Sequence, residues 1–414
     1  MNAEIRSNPD LGNRRRWLTA VAVNVVHCCS HLNSQGISIL YPILREQFSF
    51  GYTGIGLLSI VNQAVEGPMQ LTFGVITRFV SRIRIMAIGT ILAFLGVAGI
   101  AVSQNFAQLA ISRAVRGLGT SPNHPVGGAL MADSFQHAKS RAFAIYQTAG
   151  NVGGLIAPIV VGGLLYFLAW RSVVVIVGLP ILLGGLLLLT VRGSLIDSDS
   201  GRIKKRHQGL GLSEYAVVFR ERNAMLVAMV MMVGAAGRGT GSLNSYLAAI
   251  LVDRFAISPS AAAIFVGAYL FGGLTGPLTM GWVADRTSPR FVLSTTLGFA
   301  AVFVLLILVP GTAGPMLFVI TFLAGFFIYP RSSLTLSMLV SAIPDDTSVD
   351  TLLSIYHTFS AITGPLWLFL TGFLVDRFGL STALAVMACS YVAGIIILNL
   401  IKPDTEKQAN AVTI

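Results

Sequence analysis

Charge is scarce in this chain. Asp, Glu, Lys and Arg supply 11% of its 414 residues, where a soluble domain carries about a quarter. Acid is scarcer than base, 17 residues against 28. A water-soluble fold of this length would lack the polar surface to cover itself, so lipid is its solvent. Cysteine is nearly missing: Cys28, Cys29 and Cys389 all stand in apolar stretches. Three thiols so placed build neither a disulfide framework nor a zinc site, and read as small apolar side chains. No water-side nucleophile stands beside a plausible base, which argues against an enzyme, and no motif asks for a cofactor. The net charge of +11 does not gather on one water-facing surface, as nucleic-acid binding requires.

Apolar length is what the chain has in plenty, with 54% of its residues hydrophobic. A spanning helix needs roughly 20 mostly apolar residues. Spans are predicted at Trp17–Leu40, Thr53–Ile76, Ile83–Val102, Phe106–Met131, Ala142–Leu168 and Ser172–Val191. Six more follow at Ala224–Leu251, Ala261–Ala284, Phe291–Val309, Pro315–Ile343, Leu352–Val375 and Thr382–Ile401. "RRRWLTAVAV" resembles the start of a secretory signal, but its apolar run is too long and lacks a small-residue cleavage site, so it is read as a retained first span.

Basic residues orient these spans. With the amino terminus inside, the inner segments hold twenty Lys and Arg, while the outer loops hold only Arg45, Arg171, Arg254 and Arg377. Both termini are therefore expected in the cytoplasm, and the protein in the cell inner (plasma) membrane. The basic stretch "RGSLIDSDSGRIKKRHQGLGLSEYAVVFRER" falls between spans six and seven and faces anionic headgroups. The expected organisation is a six-helix bundle over 1–191, a linker over 192–221, a second bundle over 222–402 and a tail over 403–414.

The chain also repeats itself. "AIYQTAGNVGGLIAPIVVGGLL" in span five returns 210 positions later as "SIYHTFSAITGPLWLFLTGFLV" in span eleven. Ile145, Tyr146, Thr148, Gly154 and Gly162 correspond to Ile355, Tyr356, Thr358, Gly364 and Gly372. Gly67-Pro68 pairs in the same way with Gly276-Pro277, "LNS" at Leu32 with Leu243, and Pro122 with Pro330. Each half has an even number of spans, so the copies insert the same way up, related by an axis along the membrane normal.

This organisation resembles the major facilitator superfamily of secondary transporters over essentially the whole chain. "GWVADRTSPR", with Gly281, Asp285, Arg286 and Arg290, is similar to the family's cytoplasmic loop motif, G-x-x-x-D-R-x-x-x-R. "RAVRGLG", with Arg113, Gly117 and Gly119, resembles its fourth-helix motif, and "GNVGGLIAP" its fifth-helix motif. The loop after span two departs from the pattern, with Arg78 where the family's aspartate would stand. The resemblance implies gating roles for Asp285, Arg286 and Arg290, and leaves the first copy of that gate in doubt. "HPVGGALMADSF" is similar to a fosmidomycin-resistance-like branch of exporters, near the organic-anion branches. An all-α membrane protein of twelve helices in two pseudo-symmetric six-helix bundles is thus expected.

Ionisable residues inside a span cost roughly 2.5–3.5 kcal/mol each on insertion scales. Arg113, Arg116, Arg238 and Arg331 are placed so, against one clear carboxylate, Glu66. At about 1.5 Å per residue, Arg116 lies ~15 Å and Glu66 ~20 Å below the outer surface, and Arg238 ~22 Å above the inner one. Glu66 can neutralise one guanidinium, and arginine does not deprotonate. A small anion, carboxylate or phosphonate, would supply the missing charge in the fork geometry that arginine offers.

Each residue has a blander reading. Arg113 can tie helices together, Arg331 can snorkel to headgroups, and Arg116 can pair with Glu66. Glu66 is either a fixed counter-ion or the carrier of a coupling proton. His27 and His31 share a helical face with Asn24 and with Ser34 or Gln35. They are candidates for proton or substrate contact, and no further ligand completes a metal site. Asn244, Gln147 and His357 are candidate cavity-lining groups. "GAAGRGTG" at Gly234 lies between apolar helices, where close helix approach explains its glycines better than phosphate binding. Pro122 and Pro125 are expected to break span four.

The function these features predict is secondary transport of a small organic anion by a monomer, coupled to protons or run as anion exchange. Efflux of drugs or amphipathic lipids is the alternative.

Overall fold

The computed structural model describes residues 9–77, 79–135, 139–190, 221–233, 242–309, 314–342 and 349–401. Among them every element is helical. Eight helices match expected spans to within three residues at each end. They are α2 (Tyr52–Ile76), α3 (Arg82–Val102), α6 (Lys139–Phe167), α7 (Trp170–Thr190), α10 (Pro259–Arg286), α11 (Pro289–Leu306), α14 (Val349–Phe378) and α15 (Leu380–Asn399). The first helix, α1 (Pro9–Phe48), overshoots its apolar run at both ends. Proline suits a first helical position, and the helix runs on through Arg45 until Ser49, whose φ of 51° turns the chain.

Spans four and ten are interrupted, and span seven is described only at its two ends. Span four is α4 (Phe106–Thr120), a π-helical turn at Asn123–Gly127, and α5 (Gly128–Ser134). Pro122 and Pro125 lack the N–H that an α-helix needs, and the Gly127 N–H reaches back to the Pro122 carbonyl instead. Span ten is α12 (Gly314–Ile328) followed by α13 (Pro330–Ser341), with proline again at a helix start. Span seven is α8 (Arg222–Val233) and α9 (Leu243–Phe255); "GAAGRGTG", with Arg238, lies outside the described residues.

Seven described segments are long and apolar enough to cross a bilayer by composition alone, Arg82–Val102 and Leu380–Asn399 among them. Spans one, two, four and eleven, and the described parts of span seven, are not in that set. Polar residues thin the apolar content of α1 and α2, and α4 stops at Thr120.

Two compact units divide the described residues. The first draws on Met1–Gln208 together with Leu243–Leu270 and Leu368–Arg377. The second draws on Gly209–Ser242, Phe271–Trp367 and Phe378–Ile414. In the first, α1 packs on α6 and α7, α3 on α4 and α7, and α2 on α4. An apolar cluster that includes Val23, Val26, Phe73, Met86 and Leu130 closes one end. In the second, α11 packs on α12, α13 and α15, and α8 on α13 and α15. Ile159, Tyr166 and Phe167 are among the large side chains left exposed, as lipid-facing surfaces require.

Candidate functional site

Glycine decides where Arg116 points. A Cβ at Gly96 on α3 would collide with the Arg116 backbone, and one at Gly119 on α4 with the backbone at Ala93. The two helices therefore meet backbone to backbone, and the Arg116 side chain turns away from α3 toward α1 and α2. There it is buried, at 3% exposure. Its Nε donates to Asn33 Oδ1 at 2.7 Å, Nη1 to Asn62 Oδ1 at 3.0 Å, and Nη2 to the Ser30 carbonyl at 3.4 Å. All three acceptors are neutral.

Glu66 is joined to this arginine through an amide rather than by a direct ion pair. Asn62 accepts from Arg116 on its oxygen and donates to Glu66 Oε2 on its nitrogen at 3.0 Å. Gln70 donates to Glu66 Oε1 at 3.3 Å. Three residues before Arg116, and so nearly on the same face of α4, Arg113 is 6% exposed. Its Nε and Nη1 are buried with no hydrogen-bond partner. Leaving a buried donor unmet costs about 1–3 kcal/mol, more for a charged group. Arg116, Asn62, Glu66 and Gln70 thus form one hydrogen-bonded network, with the buried Arg113 one turn away on α4.

Imidazoles line the same interior. His27 and His31, one turn apart on α1, stack with ring centroids 4.7 Å apart. His124, carried in by the π-helical turn, stands edge-on at 5.3 Å from His27 and 6.1 Å from His31. The ring of Tyr146 on α6 packs 3.8 Å from His27, and its hydroxyl donates to the Asn123 carbonyl at 2.5 Å. Asn123 Nδ2 in turn donates to Ser30 Oγ at 2.8 Å. The break in span four is therefore closed by side chains from α1 and α6, as irregular backbone at membrane depth requires. His27 Nδ1 is buried and has no partner.

Arg113, Arg116, Glu66, His27 and His31 are thus brought together. Asn244 joins their rim: its Nδ2 donates to Gln35 Oε1 on α1 at 2.8 Å, and its Oδ1 is buried and unmatched. Gln147 is exposed, and its neighbour Tyr146 is the side chain that turns inward. The His357 side chain and Arg238 lie outside the described residues. Arg331 belongs to the second unit. It is 5% exposed, and its Nη1 donates to the Met231 carbonyl at 3.5 Å. Trp367 Nε1 donates to the next carbonyl, Met232, at 2.7 Å. Both carbonyls are backbone acceptors of α8.

The loop motif after span eight is a surface feature. Asp285 is exposed, and Arg286 lies over the Trp282 ring at 3.8 Å. Arg290 donates to the Ile401 carbonyl at 2.9 Å and pins the end of α15.

Sequence reasoning missed Ser30, Asn33 and Asn62. One signal was available, since Asn62 and Glu66 stand four residues apart on one helix face. Among the described residues no set of three or more His, Cys, Asp and Glu side chains is placed to hold a metal ion.

With this geometry in view, likeness to known proteins is informative. The family model described as Major Facilitator Superfamily matches residues 23–253 and again 227–413. An uncharacterised transporter of that type from Bacillus subtilis (strain 168), YfnC, is 23% identical over 393 residues, covering 94% of this chain and 93% of its own. The fosmidomycin resistance protein of Escherichia coli (strain K12) is 22% identical over 389 residues, covering 93% and 92%. Among solved structures, an inward-facing, unoccupied bacterial homologue of the human lysosomal transporter Spinster superposes with a TM-score of 0.73. Its identity is 16%, over 94% of this chain and 95% of that one.

Proposed function

The chain belongs to the Major Facilitator Superfamily of secondary transporters, and on that premise we propose that it carries a small organic anion across the inner membrane. Alternating access of a mid-membrane site, with both termini in the cytoplasm, is the mode of transport. The observation that carries this reading is the charge balance of the first unit. Arg116 is held by neutral oxygens, Arg113 has two buried donors unmet, and Asn62 bridges Arg116 to Glu66. A carboxylate or phosphonate entering beside α4 would meet donors that are already desolvated and pre-oriented. Fosmidomycin, after which one relative is named, is itself a phosphonate anion.

Glu66 is the group through which protons couple to the anion. An anion that draws Asn62 away removes one of the donors that stabilise the Glu66 carboxylate. Anion exchange is the variant in which Glu66 stays ionised throughout.

Efflux of drugs or amphipathic lipids is the second reading, favoured by the full set of protein partners around Arg116. Proteoliposome uptake of labelled carboxylates and phosphonates, with and without a pH gradient, separates the two. The anion reading expects saturable uptake of anions and none of neutral or cationic drugs, and the reverse pattern would overturn it. Glu66→Gln is expected to abolish the dependence of transport on pH while leaving anion binding intact. An unchanged pH dependence would remove Glu66 from the coupling step.

A further inference from the structure

The first unit carries a second charged constellation, far from the polar interior, where α1 ends and α2 begins. Leu251-Val252-Asp253-Arg254-Phe255, at the end of α9, recurs as Leu374-Val375-Asp376-Arg377-Phe378, at the end of α14. Both aspartates reach the turn between α1 and α2, and each uses a different chemistry. The Asp376 carboxylate accepts the backbone N–H of Tyr52 at 2.8 Å and of Thr53 at 2.7 Å. Those are the first two N–H groups of α2, orphaned by helix geometry and favourable to an anion. A cap normally comes from the residue just before a helix; here it comes from more than three hundred residues away. Asp253 takes Arg45 Nη1 at 2.7 Å and the Tyr52 hydroxyl at 2.9 Å, with the Arg45 guanidinium 3.9 Å above the Tyr52 ring.

The neighbouring packing is fitted to this contact. A Cβ at Gly51 would fall on the Asp376 carboxylate. Two turns deeper, Tyr246 on α9 donates its hydroxyl to the Leu368 carbonyl on α14. A Cβ at Gly56 or Gly372 would come within 2.9 Å of that same Tyr246 oxygen. Segments from the second half of the sequence are thus sealed onto α1 and α2 at the end of the first span remote from the chain's start. The basic-residue count assigns that end to the outside.

We propose that Asp253 and Asp376 form an outer latch, a pair of carboxylates that holds the transporter closed on that face and must let go before the polar interior can open to it. Its partners suit a contact that breaks and reforms. The Arg45 and Asp253 side chains are 19% and 44% exposed, so water replaces each partner as the contact opens. Asp376 binds backbone donors that keep their position in α2 whichever state is occupied. Asymmetry between the two faces of the chain gives the latch its weight. On the inner side the first loop has Arg78 where the family motif has aspartate, so the acid of that motif survives only as Asp285. The inference rests on transport by alternating access and not on the charge of the substrate.

The test is a distance measured in proteoliposomes. Spin labels go at Gln47 on α1 and Ser258 beyond α9, both exposed, in a chain whose three cysteines are replaced by alanine. Paired-spin distances are expected to be mostly short in this parent. Asp376→Asn, Asp253→Asn and the double variant are each expected to raise the ratio of long to short distances, by about tenfold for the double, as loss of charge-assisted hydrogen bonds implies. Gly51→Ala keeps every charge and is expected to shift the ratio the same way by displacing the Asp376 carboxylate. Because it removes no charge, it decides the matter if an aspartate variant fails to fold. Distance distributions unchanged in Gly51→Ala and in the single variants would overturn the latch. A failure of the anion assignment would show in the uptake assay and leave these distances as they are.

Discussion

Arg116 and Arg331 stand in corresponding spans of the two halves, each beside a proline break and each buried, at 3% and 5% exposure. The bonds each makes to a neighbouring helix differ in kind. Arg116 is met by side-chain oxygens of Asn33 and Asn62 and by one carbonyl, from α1 and α2. Arg331 reaches the carbonyl of Met231 in the last turn of α8. Amide side chains can rotate to other partners, so the bonds around Arg116 can be exchanged for bonds to a ligand. A backbone carbonyl is fixed by its helix, so this bond ties α13 to α8. The same residue type, in equivalent spans, is arranged for exchange in one unit and for holding in the other.

The sharpest way to break this comparison is to remove each guanidinium in turn. Arg116→Met is expected to weaken anion binding by about a hundredfold, roughly 2.7 kcal/mol, because a desolvated charge pair is lost. Arg331→Met fills a similar volume, and a buried charge replaced by an apolar group of like size is often tolerated. It is expected to leave anion affinity within about threefold of the parent and stability within about 1 kcal/mol. Isothermal titration in detergent, alongside thermal unfolding, measures both. Equal losses of affinity from the two substitutions would place Arg331 in the binding site and erase the distinction.

Much of this contrast was legible before any coordinates. Apolar run length located the spans, the 210-residue repeat paired them, and the helical rise put Arg116 and Glu66 at similar depth. The partners were not legible. Arg116 is held by Ser30 and Asn33, which fall one step around α1 from the His27–His31 face that the spacing rule picks out. An isolated Asn or Ser in an apolar helix carries no label for the helix it will meet. Asp376 was invisible for a different reason: its partners are backbone N–H groups, and only Gly51 marks the place where a carboxylate needs room. The duplicated pentapeptide was on the page, but five residues at a helix end look like ordinary loop chemistry until their contacts are seen.

A finer test of the same contrast uses a hydroxyl in the first unit and an indole in the second. Tyr146 donates to the Asn123 carbonyl beside the π-helical turn of span four. Trp367 donates to the Met232 carbonyl at the end of α8. Tyr146→Phe and Trp367→Phe each remove one donor from a carbonyl, and one such bond is worth about 1 kcal/mol. Their losses of stability are therefore expected to be alike in thermal unfolding, with the larger volume change at Trp367 adding to its share. Transport is expected to separate them. Freed from Tyr146, Asn123 loses its fixed position, and with it the bond to Ser30 that shares a residue with the Arg116 network. Tyr146→Phe should lower the affinity for the anion several-fold, whereas Trp367→Phe, acting on a bond between α14 and α8, should leave it unchanged. Uptake measured across a range of anion concentrations distinguishes the two. If the variants changed affinity equally, the network in the first unit would be no more adjustable than the helix end in the second.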